Sequence, residues 1–287
     1  MEEQEPIDEH IVDIDWQAYL NTYYPHLGKI FLSKNKAKEV NAKLTSRNRK
    51  LLETKEEYFT TLYDHLIRII EPSAPNDRRT KIAHGLLGFF EAEVAAFEQL
   101  TSGAKVLFNQ LKHQMEDLFW DNEAKYLDRV GELLSTVYLT RKFNPDRLSS
   151  LKHYYVFKNN KIDTKGKDAD LCFIKTDGQL VLIDIYNINL KHEMIEDEAG
   201  LAKILTDRIS KKWKEKKFDD PALATRYQQI YIQPFLWLYD LETIEKYTHI
   251  LAGFQFPKSL PILSIRQRSD SNENVFYDCI SFSMDKL

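Results

Sequence analysis

The chain has 287 residues, a formal net charge of −4, 43% hydrophobic side chains and 12% aromatic ones. That length leaves room for two domains and the apolar share is ample for a buried core. The mild acidity excludes a global attraction to nucleic acid or anionic lipid, so any polyanion needs a local basic patch. Two cysteines, Cys172 and Cys279, exclude a disulfide framework. Both lie in apolar strand-like runs and read as reduced core residues. The start, MEEQEPIDEH, is acidic and lacks the basic and apolar regions of a leader. No apolar run reaches the length of a membrane span, so a soluble, cytoplasmic protein is expected.

Helix signals dominate before residue 145. Leu44, Leu51, Tyr58, Leu62, Leu66 and Ile69 recur at helical spacing and predict one long helix over 32–71. Two prolines make 71–77 a loop. A second helix is predicted over 80–100, with Leu86, Leu87, Phe89, Phe90, Val94 and Phe97 as its apolar set, and Thr101-Ser102-Gly103 ends it. Helical runs over 104–120 and 122–142 follow. After Asn144-Pro145 the pattern changes to short runs rich in Val, Ile, Tyr and Phe. Strands are predicted at 153–158, 169–175, 180–186, 229–236, 260–266 and 275–283. Helices are predicted at 195–217, with the stripe Leu201, Ile204, Leu205, Ile209 and Trp213, and at 241–253. Strands alternating with helices imply an α/β (α+β) class. A helical region over 1–120 would precede a mixed sheet flanked by helices over 121–287.

The most informative stretch is 165–189, KGKDADLCFIKTDGQLVLIDIYNIN, which reads as two strands joined by a tight turn. Asp170 stands at the start of the first strand and Asp184 near the end of the second. Two carboxylates on neighbouring strands suit a hard divalent cation, which prefers oxygen ligands. Asp184 lies among Leu180, Val181, Leu182, Ile183 and Ile185, where a carboxylate needs a partner, a hydrogen bond or a metal. Asp168 falls on the same face as Asp170 and would repel it without a compensating cation. Turn-backbone bonding for Asp170 and a buried acceptor role for Asp184 are the plainer readings.

The order helix, three strands, helix, strand, helix, strands, with these two acids, resembles the restriction-endonuclease-like PD-(D/E)XK nucleases over about the last 165 residues. The resemblance implies metal-dependent phosphodiester cleavage. Asp170 matches the acid that opens the second strand, and Asp184-Ile185-Tyr186 occupies the acid-x-lysine triplet with its lysine lost. Glu132 stands where the family often carries a helix glutamate; its plainer reading is a surface partner of Arg129. In such a site Mg²⁺ held by carboxylates lowers the pKa of a bound water and clamps phosphate oxygens, while a lysine adds positive charge. Tyr186 donates a hydrogen bond and is neutral.

Lys167, Lys191 and Lys203 are candidates for a relocated cation, since the family's lysine is known to migrate to neighbouring elements. Solvated lysines are the bland alternative. The segment RISKKWKEKK, with Lys211, Lys212 and Lys214, is a candidate nucleic-acid contact or a solvated helix end that complements the helix dipole. A second basic cluster, Arg47-Asn48-Arg49-Lys50, is equally ambiguous, and Arg266 and Arg268 are candidate contacts for a substrate or partner. Phosphate loops, zinc spacings, HExxH and G-x-S-x-G elbows are absent.

Two functions remain. One is a nuclease with Asp170 and Asp184 on a metal. The other is an inactive nuclease-like scaffold whose N-terminal helices bind a protein partner or a second copy.

Overall fold

A computed structural model describes residues 16–30, 62–70, 77–102, 104–115, 123–143, 148–158, 161–190, 195, 197–238 and 241–283. The fold is α/β: helices accompany a six-stranded mixed sheet. Residues 1–95, 112–126 and 268–276 make one compact unit, and 96–111, 127–267 and 277–287 make the other. The two are interleaved in sequence, where a single cut at 120 was expected.

In the first unit, α1 (Trp16–Tyr23), α2 (Pro25–Ile30) and α3 (Leu62–Ile70) precede α4 (Arg78–Leu100), whose C-terminal end belongs to the second unit. Leu20, Leu27, Leu62, Leu66, Ile82, Leu87, Phe90 and Val94 are buried. The Glu91 carboxylate accepts the amides of His26 and Leu27 at 2.9 and 2.8 Å. It thereby satisfies donors that a helix start leaves orphaned and places negative charge at the positive end of its dipole. Of the long helix expected over 32–71, residues 32–61 and 71 lie outside the described residues, as does the basic cluster at 47–50. Of the helical run expected over 104–120, Lys105–Met115 is helix (α5) and 116–120 lie outside them.

The second unit is built on α6 (Glu123–Phe143), most of which it contains, and the sheet. The strands are β1 (Leu148–Tyr154), β4 (Asp168–Ile174), β5 (Leu180–Leu190), β6 (Tyr227–Leu238), β7 (Leu263–Ser269) and β8 (Val275–Ser281). They lie in the order β1-β4-β5-β6-β7-β8. A small ribbon, β2 (Phe157–Lys158) with β3 (Lys161–Ile162), stands between β1 and β4 in the chain. The expected strand at 153–158 is thus two elements, and the main one begins earlier. The pair β1/β4 is antiparallel, as is β4/β5, whereas β5/β6 and β6/β7 are parallel. The parallel step from β5 to β6 is crossed by α7 (Glu198–Lys216) and a short turn of helix, α8 (Pro221–Ala224). The step from β6 to β7 is crossed by α9 (Leu241–Gly253).

Local chemistry sets the ends of α7. Asp197 caps its start by accepting the Gly200 amide at 2.6 Å, and Lys217 ends it in the left-handed region at φ 57°. Leu201, Leu205, Ile209 and Trp213, each four residues apart, are buried against Leu182, Ile188, Leu190, Ile232 and Leu236. On the alternate positions of β5, Asn187 donates to the Asp128 carbonyl of α6 at 3.1 Å and accepts from the Trp237 indole at 3.0 Å. Gly131 of α6 lies so close that a Cβ there would fall 1.8 Å from the Asn187 Oδ1. Among the described residues no helix is long and apolar enough to cross a membrane.

Candidate functional site

The site begins where two strands part. The β4/β5 ladder runs from Ile174↔Leu180 to Leu171↔Ile183 and stops there, while β4 continues beside β1 to Asp168 and β5 beside β6 to Leu190. Beyond that point β5 has backbone groups that β4 no longer meets. The Asp170 carboxylate meets one of them, accepting the Ile185 amide at 2.6 Å. Asp170 thus takes over the pairing role that the departing backbone gives up, and it stands beside Asp184.

Asp184 is 0% exposed, and among the described residues neither of its oxygens receives a hydrogen bond from the backbone or from a neutral side chain. Its partners are ammonium groups. The Lys216 Nζ lies 2.6 Å from Oδ1 and the Lys212 Nζ 3.4 Å from Oδ2. Lys216 also donates to the Asp168 carbonyl at 2.7 Å and approaches the Asp168 carboxylate at 3.9 Å. That is the cation needed to let Asp168 and Asp170 share a face. Burial opposes the Lys216 charge, but Asp184 foremost, then Asp170 and Asp168, outweigh it and raise the ammonium above its ordinary range.

Glu132, from α6, completes the acidic set. Its Oε2 accepts from the Arg129 Nη1 at 2.6 Å, the pairing expected of a surface glutamate. Yet the carboxyl belongs electrostatically to the cluster. Burial raises its proton affinity, Arg129 opposes that, and Asp128 and Asp184 reinforce it. Asp170 is held well above the ordinary aspartate range, first by burial and then by Asp184 and Glu132; Lys216 and the Ile185 amide pull the other way. Carboxyls that raise one another in this way mark a concentration of negative charge that one cation does not fully neutralise.

Helix phase explains which lysines arrive. At 3.6 residues per turn, Arg208, Lys212 and Lys216 form one row beside the buried stripe of α7. Arg208 donates to the Asn189 carbonyl at 2.9 Å, and the other two reach Asp184. Lys203 is nine residues before Lys212, about two and a half turns away and on the opposite side. It is exposed, and so is not the cation of this cluster. Lys167 donates to the Glu215 carbonyl and thereby ties the turn before β4 to the end of α7. Lys191 lies outside the described residues. Of the three lysines proposed for phosphate contact, Lys211 and Lys214 are exposed, whereas Lys212 is turned inward with 23% of its side chain accessible. Arg266 is paired with Asp278 at 2.7 Å.

Tyr186 lies two residues beyond Asp184 on the same face of β5, and the Lys212 ammonium sits over its ring, 5.3 Å from the centroid. Burial raises its hydroxyl above the ordinary range. Tyr155, which the sequence did not single out, donates to the Lys216 carbonyl at 2.7 Å. Its signal was only an aromatic run in HYYVF. Lys216 had a clearer signal: it lies four residues beyond Lys212, in phase with a predictable apolar stripe.

Among the described residues, no three His, Cys, Asp or Glu side chains converge tightly enough to hold a metal ion as they stand. The donor type nevertheless fits a hard divalent cation, since Asp170, Asp184 and Glu132 offer carboxylate oxygens and, among the described residues, Asp184 has no competing hydrogen bonds beyond its two lysines. No protein-family model, curated protein or solved structure matches the chain.

Proposed function

We propose that this chain is a metal-dependent nuclease of the PD-(D/E)XK kind, acting on phosphodiester bonds of nucleic acid, with its lysine charge supplied from α7 in place of residue 186. The observation that carries the reading is the Lys216 ammonium at 2.6 Å from Asp184, beside Asp170 and Glu132. In this reading Asp170 and Asp184 hold Mg²⁺, with Glu132 as a third oxygen donor. The ion, when bound, neutralises phosphate charge and lowers the pKa of a water. Lys216 and Lys212 place positive charge beside the carboxylates, where a phosphate builds negative charge as it is attacked. The exposed Lys211 and Lys214 continue that charge outward and suit a phosphate backbone. Two cysteines kept as thiols suit a reducing, cytoplasmic setting, in which the role would lie in nucleic-acid metabolism or defence.

A second reading is favoured by one observation: each Asp184 oxygen already faces an ammonium. A cluster neutralised from within serves as a buried ionic lock in an inactive scaffold, and the N-terminal helices then bind a protein partner or a second copy.

Calorimetry with Mg²⁺ and Mn²⁺ on the wild type and on Asp184→Asn, followed by cleavage assays on single- and double-stranded DNA and RNA, separates the two. The nuclease reading expects binding that Asp184→Asn abolishes, together with metal-dependent cutting. Absence of both in a folded wild type overturns it in favour of the lock.

A further inference from the structure

We propose that Tyr186 is a positioning residue whose ring holds the Lys212 ammonium against Asp184, so that the pair Tyr186–Lys212 stands in for a lysine at 186. The inference rests on the nuclease reading for its functional meaning, and its geometry stands on three contacts. Strand alternation puts Tyr186 and Asp184 on one face of β5, two residues apart. The Lys212 Nζ is 5.3 Å from the ring centroid and 3.4 Å from the Asp184 Oδ2. Arg208, one helical turn earlier, is fixed to the Asn189 carbonyl at 2.9 Å, which holds this row of α7 over the far half of β5.

A lysine stem carries much rotamer freedom, and an ammonium is content in water. Something must favour the inward rotamer of Lys212, which is 23% exposed and shares Asp184 with Lys216. Attraction to Asp184 is one part. The negative face of the ring supplies the other, and it attracts a cation more strongly as water is removed. Tyr186 also packs against the apolar cluster beneath α7, so a purely space-filling role is the rival explanation. Ring and volume are separable. Tyr186→Phe keeps the ring face and loses the hydroxyl, whereas Tyr186→Leu keeps an apolar filler and loses the ring.

The test uses the full chain labelled with ¹³C-lysine, with Lys212→Met identifying the resonance. The Lys212 ε-methylene protons are expected to show an upfield ring-current shift in the wild type and in Tyr186→Phe, and to lose it in Tyr186→Leu. An unchanged Lys212 resonance in Tyr186→Leu overturns the proposal. In cleavage assays Tyr186→Phe stays near wild type, while Tyr186→Leu falls by roughly 3- to 30-fold, the range that a cation–ring contact supports. Tyr186→Lys added to Lys212→Met is expected to regain what Lys212→Met loses, because it returns the charge directly to the strand. A double variant no better than Lys212→Met overturns the substitution of one cation for the other. If the wild type cuts nothing, the nuclease reading fails, and the resonance of Lys212 still decides the role of the ring.

Discussion

The Lys216–Asp184 contact makes a quantitative prediction. Lys216→Met keeps most of the side-chain volume and removes the charge that lies 2.6 Å from a carboxylate with no exposure. Breaking a buried ion pair from one side costs about 3–5 kcal/mol, because the remaining charge stays buried without its partner. One feature of the site limits the loss. Lys212 remains 3.4 Å from the other oxygen, and at an effective dielectric near 20 a charge at that range retains several kcal/mol of attraction before desolvation is deducted. The expected penalty at pH 7 is therefore about 2–4 kcal/mol, large against a total stability of about 5–15 kcal/mol yet short of unfolding the chain.

Urea denaturation followed by circular dichroism measures it, with the midpoint falling and the slope unchanged. Adding Asp184→Asn to Lys216→Met should recover most of the loss, because no charge is then left without a partner at this contact. The double-mutant cycle should give a coupling above about 1.5 kcal/mol. A Lys216→Met penalty below about 0.5 kcal/mol, or two substitutions that simply add, would refute the claim that the ammonium belongs to Asp184.

Three further outcomes follow from the same geometry. Asp170 binds its proton more tightly in the folded chain than at its ordinary value of 3.8. As pH rises above that value the unfolded chain releases the proton first, and the folded state loses relative stability until the folded carboxyl ionises. Asp170→Asn removes this cost in the metal-free protein, so its melting temperature should gain on the wild type as pH rises above 3.8; a difference independent of pH rejects the account. Lys203→Ala should leave stability within about 0.5 kcal/mol and leave cutting unchanged, since the side chain is exposed on the far side of α7; a large loss of cutting would show that the helix phase has been misjudged. Gly131→Ala should cost about 1–3 kcal/mol in urea unfolding, because the new methyl falls on the Asn187 amide, and Asn187→Ala in the same chain should relieve part of it.

The sheet and its helices were legible because apolar residues repeat at helical spacing along α7 and form a nearly unbroken run along β5, as a strand buried on both faces does. The ends were less so. β1 starts at Leu148 where the sequence shows Ser149 and Ser150, poor strand formers, and it contains a register shift at Leu148/Ser150 and a left-handed Lys152 at φ 55°. Pairing with β4 holds it in the sheet against local preference. β5 runs on to Leu190 through Asn187 and Asn189, which read as strand enders. The Asn187 side chain is satisfied by Asp128 and Trp237, partners that no local pattern reveals.

In the site, Asp170 and Asp184 were legible from one acid at a strand start and another inside an apolar run, and Glu132 from its place on the preceding helix. Lys203 is a candidate because the resembling family's lysine migrates to neighbouring elements, a consideration that takes no account of helix phase. Helix phase against Leu201, Leu205, Ile209 and Trp213 selects Lys212 and Lys216 from the same letters.

The energetic character of the cluster bears on its purpose. A buried ionic group is a poor way to stabilise a sheet, since apolar side chains of similar volume commonly do as well or better. Here three carboxyls crowd one strand divergence, two of them raised against their own ionisation by burial, and two lysines are drawn inward to balance them. Leu182 and Ile188 flank this place on the same face of β5 and pack at 0% exposure, so nothing in the local backbone forbids an apolar filling. The Asp184–Lys216 charges therefore impose a folding cost that an apolar pair would avoid, which supports the proposed nuclease reading over the ionic lock. That cost is measurable. Replacing Asp184 and Lys216 together with Leu and Met should leave the chain at least as stable as the wild type in urea, while removing any binding of Mg²⁺. A clear loss of stability in that double variant would instead make the pair an element of the architecture and favour the ionic lock.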